Sequence, residues 1–162
     1  MSEVLVVRVA DLRVGRLDDE LVTIGLGSCV AIILHDAEAR VGGLAHVLLP
    51  SPALTRPTDG RPGKVPQTAV PELLSQMKAL GARSSRITAR LAGGASMFAM
   101  LNTPGTIQMG ERNVVASRQV LAQHGLPITG EAVGGDFGRT VRLRTSDGRV
   151  EISSVSHGTA EL

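Results

Sequence analysis

Residues 30–49 read Val30-Ala31-Ile32-Ile33-Leu34-His35-Asp36-Ala37-Glu38-Ala39-Arg40-Val41-Gly42-Gly43-Leu44-Ala45-His46-Val47-Leu48-Leu49. Two β-rich runs, 30–34 and 41–49, flank a short polar stretch, which is the pattern of a hairpin. With 36–39 as the turn, the strands pair Leu34 with Val41 and Cys29 with His46. Directly opposed residues of an antiparallel pair share a face, with Cβ atoms about 4.5–5.5 Å apart. That is the reach a thiol needs to pass its proton to an imidazole. A slip of one residue would send the two side chains to opposite faces, so the turn decides the reading.

Cys29 is the only cysteine in 162 residues and follows Thr23-Ile24-Gly25-Leu26-Gly27-Ser28. Two readings stand for it. A lone cysteine is commonly a small buried hydrophobe with an inert thiol, and the matching reading of His46 is a histidine satisfied by backbone. Against this, Gly25 and Gly27 let the backbone ahead of the thiol bend sharply and let a substrate approach. As half of a Cys–His nucleophile pair, the thiol would be activated, ionising below its free value of about 8.5 beside an imidazolium.

Working outward, 4–9 reads as a strand, followed by polar loop residues to about Glu20. Residues 50–67 hold five prolines and two glycines without periodicity, a long surface loop of the kind that often carries function. Thr68 can cap a helix whose Val70, Leu73, Leu74, Met77 and Leu80 follow the 3.6 period and which Gly81 ends. A strand over 86–92 runs into a tight turn at Gly93-Gly94, and a second helix over 111–123 stops before Gly125. Strands at 128–133, 140–145 and 149–155 follow, the last two joined at Ser146-Asp147-Gly148. Two helices among about seven strands predict an α+β fold with packed sheets and helices outside, one domain over 1–162.

Composition narrows the function classes. Hydrophobic residues make up 43% and charged residues 20%, which is globular, and no apolar run approaches the ~18 residues of a membrane span. Nothing in the N-terminal stretch reads as a signal peptide, and one cysteine cannot form an internal disulfide, so a reducing cytoplasm is expected. The formal charge is only +2, and the aromatics are Phe98 and Phe137 alone. That leaves neither the basic footprint nor the stacking platforms of a nucleic-acid binder. Gly25–Val30 lacks the third glycine of a dinucleotide fingerprint, Gly60–Val65 lacks the P-loop hydroxyl, and Gly94–Phe98 lacks the last glycine of a nucleophile elbow. The histidines at 35, 46, 124 and 157 have no metal-site spacing, so neither metal nor cofactor is expected.

Taken together and in order, TIGLGSCVAIILHD, VGGLAHVLLP, LAGGASMF, GERNV and VGGDFGRTVRL resemble the chemoreceptor glutamine deamidase family, CheD, over nearly the whole chain. The resemblance implies Cys29 as nucleophile, His46 as its base and Thr23 as the third member of the site. It implies a mixed β-sandwich flanked by helices, related to cysteine-dependent deamidating toxins. The substrate would be glutamine side chains of chemoreceptor cytoplasmic domains, with no membrane insertion of the protein itself. The residues themselves assign no oxyanion donor; the backbone N–H of Cys29 and the Ser28 hydroxyl are the candidates. The resemblance also implies a second role in binding and stimulating the chemotaxis phosphatase CheC, and the alternative to an enzyme is a non-catalytic regulatory binding module of the chemotaxis pathway. A cysteine peptidase is disfavoured, since nothing suggests a long peptide cleft. After Pro62-Gly63-Lys64 the chain departs from the family pattern, with Val65 and Gln67 where an aromatic and an acid are common.

Overall fold

The computed structural model describes residues 2–55, 60–97 and 108–162. Phe98, the end of the LAGGASMF stretch, and residues 56–59 of the proline-rich loop lie outside them. The described chain runs β1 (Val4–Val6), β2 (Leu12–Arg16), β3 (Glu20–Leu26), β4 (Val30–Asp36), β5 (Val41–Val47), α1 (Pro66–Ala79) and β6 (Ile87–Gly93). It continues through α2 (Met109–Gln123), β7 (Ile128–Val133), β8 (Arg139–Arg144), β9 (Val150–Ser154) and β10 (Gly158–Glu161). Two five-stranded sheets form, ordered β1-β3-β8-β9-β10 and β2-β5-β4-β6-β7.

β4 and β5 are buried at every position, because they lie in the middle layer of three. Their alternation sorts side chains between two cores. Val30, Ile32, Leu34, Ala45 and Val47 pack with Leu73, Met77, Val114 and Leu121 of the helices. Cys29, Ala31, Ile33 and Leu44 pack with Leu21, Leu26, Val141 and Leu143 of the opposite sheet. The paired glycines of β5 follow the same rule. A Cβ at Gly42 would meet Leu143 and Thr145 at 2.9 Å, whereas one at Gly43 would meet Leu73 at 3.0 Å and Met77 at 3.1 Å. Counting on from Leu44, His46 belongs to the layer between the sheets.

The hairpin forms, but not in the expected register. Asp36 pairs with Val41 and Ala31 pairs with His46, so Cys29 is not opposite His46. The turn begins one residue later than expected, with Arg40 in left-handed backbone at φ 58°. Asp36 holds its place at the strand end because its carboxylate is busy there. Oδ1 accepts from the N–H groups of Glu38 and Ala39 at 3.1 Å, Oδ2 accepts from Arg83 N–H at 2.9 Å, and Arg86 Nε donates to both at 3.1 Å. Burial alone would raise this carboxyl's pKa, but the Arg83 and Ala39 N–H groups and the Arg86 guanidinium outweigh it and hold it below the usual range. Asp36→Ala should cost about 3 kcal/mol, because it removes the acceptor of buried donors. Urea unfolding with an unchanged m-value is the check.

Other differences are local. Residues 12–16, expected as loop, form β2 on the edge beside β5, where only Leu12 and Gly15 are buried. Thr68 does not cap α1. The helix starts at Pro66, whose ring presets the first-turn φ, and the Thr68 hydroxyl instead donates to the Pro62 carbonyl at 2.6 Å. The structural reading of the Gly93-Gly94 turn holds: both lie at positive φ, and a Cβ at Gly93 would stand 2.3 Å from the Cys29 carbonyl oxygen.

Candidate active site between the sheets

Thr23 and His46 meet across the two sheets. Thr23 lies on the inner face of β3, two residues after the buried Leu21, and both it and His46 are fully buried. Thr23 Oγ1 stands 2.6 Å from His46 Nδ1 and also donates to the Val7 carbonyl oxygen at 2.6 Å. A hydroxyl has one proton, and an O···O approach of that length requires it. The network therefore assigns the Thr23 proton to Val7 and makes Nδ1–H of the imidazole the donor to Oγ1. Nε2 is left as the bare acceptor. It is buried and has no hydrogen-bond partner among the described residues.

Two local devices set this up. His46 is clamped through its backbone, its N–H donating to Asp11 O at 3.0 Å and its carbonyl accepting from Ala10 N–H at 2.9 Å. Immediately after Thr23 the ladder with β8 slips: Thr23 pairs with Val141 but Leu26 with Arg139, an extra residue on β3. The bulge places Gly25 at φ 78° and turns Ile24 outward, 64% exposed, so β3 bends away just beyond the threonine. Gly27, by contrast, needs no left-handed backbone; a Cβ there would press on Met97 Cγ at 3.3 Å.

Cys29 lies just ahead of β4, on the same inner layer as Ala31 and Ile33 and 8% exposed. The observed register differs from the expected one by two residues, which preserves parity. The thiol is thus a diagonal rather than a direct neighbour of His46, on the shared face. Burial works against the ionised thiol expected from the sequence. Burial pushes the thiol's pKa up, against a smaller opposing effect of its own backbone N–H, and burial pushes the imidazole down to about 4. Both shifts favour the neutral form of each group.

Ser28 is not brought into this layer. It is half-buried and lines a hollow with Ala95, Ser96, Met97 and the first residues of α2. A residue that sequence reasoning passed over is Asn113, on the buried stripe of α2 with Val114, Ser117, Val120 and Leu121. Its Nδ2 donates to Ser28 O at 2.9 Å and to Leu48 O at 3.2 Å, while its Oδ1 is buried without a partner among the described residues. The available signal was a carboxamide at an apolar position of an amphipathic helix. Among the described residues no cluster of His, Cys, Asp or Glu could hold a metal ion, and no helix is long and apolar enough to cross a membrane.

Fold and site together define an α+β protein with stacked sheets, whose lone cysteine shares the inter-sheet layer with a buried histidine–threonine pair. The family model described as CheD chemotactic sensory transduction matches residues 48–154. A protein of Methanococcus vannielii is 47% identical over 150 residues, 92% of this chain and 94% of its own length. One of Methanococcus maripaludis strain C5 is 43% identical over 149 residues, 92% of this chain and 94% of its own. One of Caldanaerobacter subterraneus is 39% identical over 157 residues, 97% and 96%. Each of the three is named a probable chemoreceptor glutamine deamidase CheD. A solved structure of the Bacillus licheniformis hypothetical protein YfiH superposes with a TM-score of 0.46 at 14% identity, over 75% of this chain and 50% of that one. The chain belongs to the CheD family.

Proposed function

We propose that this chain is a single deamidase domain that hydrolyses glutamine side-chain amides of chemoreceptors to glutamate through a thioester on Cys29. The observation that carries the reading is the buried Thr23–His46 bond, which leaves Nε2 bare on the face shared with the only thiol. Family membership supplies the substrate class.

In this mechanism Sγ attacks the carboxamide carbon as its proton passes to Nε2, because a neutral thiol beside a neutral imidazole reacts by general-base transfer. The resulting oxyanion takes the backbone N–H of Cys29, which lies close to the sulfur. Nε2–H then protonates the leaving nitrogen, ammonia departs, and the thioester remains. Water attacks the thioester with Nε2 as base, giving glutamate and the free thiol. Thr23 is a positioning residue that holds Nδ1–H and so keeps the acceptor on the thiol's side. The Ser28 hydroxyl, half-buried toward α2, is the weaker candidate donor.

The same proposal places the protein in the cytoplasm, where receptor signalling domains lie, and keeps the relation to deamidating toxins, with which two stacked sheets carrying helices are compatible. CheC is the additional partner it carries. The test is incubation with receptor cytoplasmic fragments followed by peptide mass spectrometry. Selected glutamines gain about one mass unit, with equimolar ammonia, as amide hydrolysis requires. If every glutamine stays unchanged, the chain is a binding module instead.

A further inference from the structure

The Ser28–Cys29 peptide is trans, so its carbonyl and its N–H point in opposite directions across one plane. The carbonyl is held by Asn113, whose helix covers the outer face of the β4–β5 sheet. The Cys29 N–H consequently points away from Asn113. It has no backbone acceptor among the described residues, and it stands near its own sulfur. The next peptide is clamped as well, Gly94 N–H donating to Cys29 O at 2.8 Å. The second Nδ2 bond of Asn113, to Leu48 O, grips the chain two residues beyond His46. One amide group thus ties the nucleophile's peptide to the strand of its base.

Asn113 does this at a cost that packing alone does not explain. It is fully buried with Oδ1 lacking a partner among the described residues, where an apolar residue would continue the stripe of Val114 and Leu121. We infer that Asn113 is a positioning residue that aims the Cys29 N–H as an oxyanion donor at the substrate amide. The inference rests on the deamidase reading.

The test compares two reactions at one sulfur. Alkylation by iodoacetamide builds no oxyanion, whereas deamidation does. Asn113→Asp keeps the shape but sets carboxylate oxygens against two carbonyls. It should lower kcat on receptor fragments about 10²-fold, the scale of one oxyanion donor, with KM and the alkylation rate within about twofold of wild type. Equal losses in both reactions, or in neither, overturn the inference. A measurement on the wild type covers a variant that fails to fold. A receptor peptide with an aldehyde in place of the glutamine amide adds Sγ at the carbonyl carbon, the thiol proton passing to the oxygen. The Cys29 amide proton should then move downfield in the NMR spectrum; an unmoved resonance overturns the assignment. A wild type that deamidates no receptor glutamine sinks the function reading and this inference with it. An active wild type matched by Asn113→Asp sinks the inference alone.

Discussion

Cys29→Ala is expected to lower receptor deamidation at least about 10⁴-fold, the scale on which removing a covalent nucleophile acts. The chain has no second thiol to substitute for it. Cys29→Ser should be nearly as inactive. Its hydroxyl is far less acidic than a thiol, and the only base at hand is an imidazole whose proton affinity burial has lowered. Mass spectrometry of receptor fragments, with ammonia release as a second readout, measures both variants. Retention of a rate within tenfold of wild type by Cys29→Ala would exclude a thioester route. Because burial raises the thiol's pKa, iodoacetamide should label wild-type Cys29 slowly at neutral pH and faster as pH climbs.

His46→Gln should lose about 10²–10⁴-fold in kcat, the range of a general acid–base group. It should also change how stability depends on pH, which a bystander histidine on the surface would not. In the folded protein His46 protonates only near pH 4, against 6.5 for the free side chain. Between those values the unfolded chain binds the proton and the native chain does not, so stability falls as pH drops. The contribution is fully present above pH 6.5 and has lost about 3 kcal/mol by pH 4. Denaturant melts of wild type and His46→Gln across this window should converge at the acid end. Parallel curves would mean that His46 is not buried neutral. The acid limb of wild-type kcat should likewise lie nearer pH 4 than pH 6.5. Thr23→Val removes the acceptor of Nδ1–H while keeping the bulk, so it should act in the same direction more weakly.

Periodicity carried the local elements. The apolar spacing of α1 and α2 places both helices within three residues of their ends, and 128–133 is found as a strand with no change. Period two also preserved the shared face, because a register error of two residues leaves Cys29 and His46 on one side of the sheet. Three strands were missed: β2 is short and interrupted by arginine, β10 is exposed at all four positions, and the bulge after Thr23 breaks the alternation of β3. The turn was misjudged because Asp36 looks like a turn residue from its neighbours, while its true partners, Arg83 and Arg86, lie on another segment.

By itself, then, the sequence determined the two helices, most strands and the shared face of the thiol and imidazole, and its family motifs pointed to the trio Cys29, His46 and Thr23 as the candidate site. Only the tertiary structure decided that Thr23 meets Nδ1 across the sheets, that the Val7 carbonyl takes its proton, and that Asn113, 85 residues from Ser28, holds the nucleophile's peptide. It also supplies the burial that favours the neutral forms of both groups over the thiolate–imidazolium pair expected from the sequence. The division follows from range. Strand and helix periods are written in consecutive residues, whereas desolvation and inter-layer hydrogen bonds depend on which distant segments close over a site.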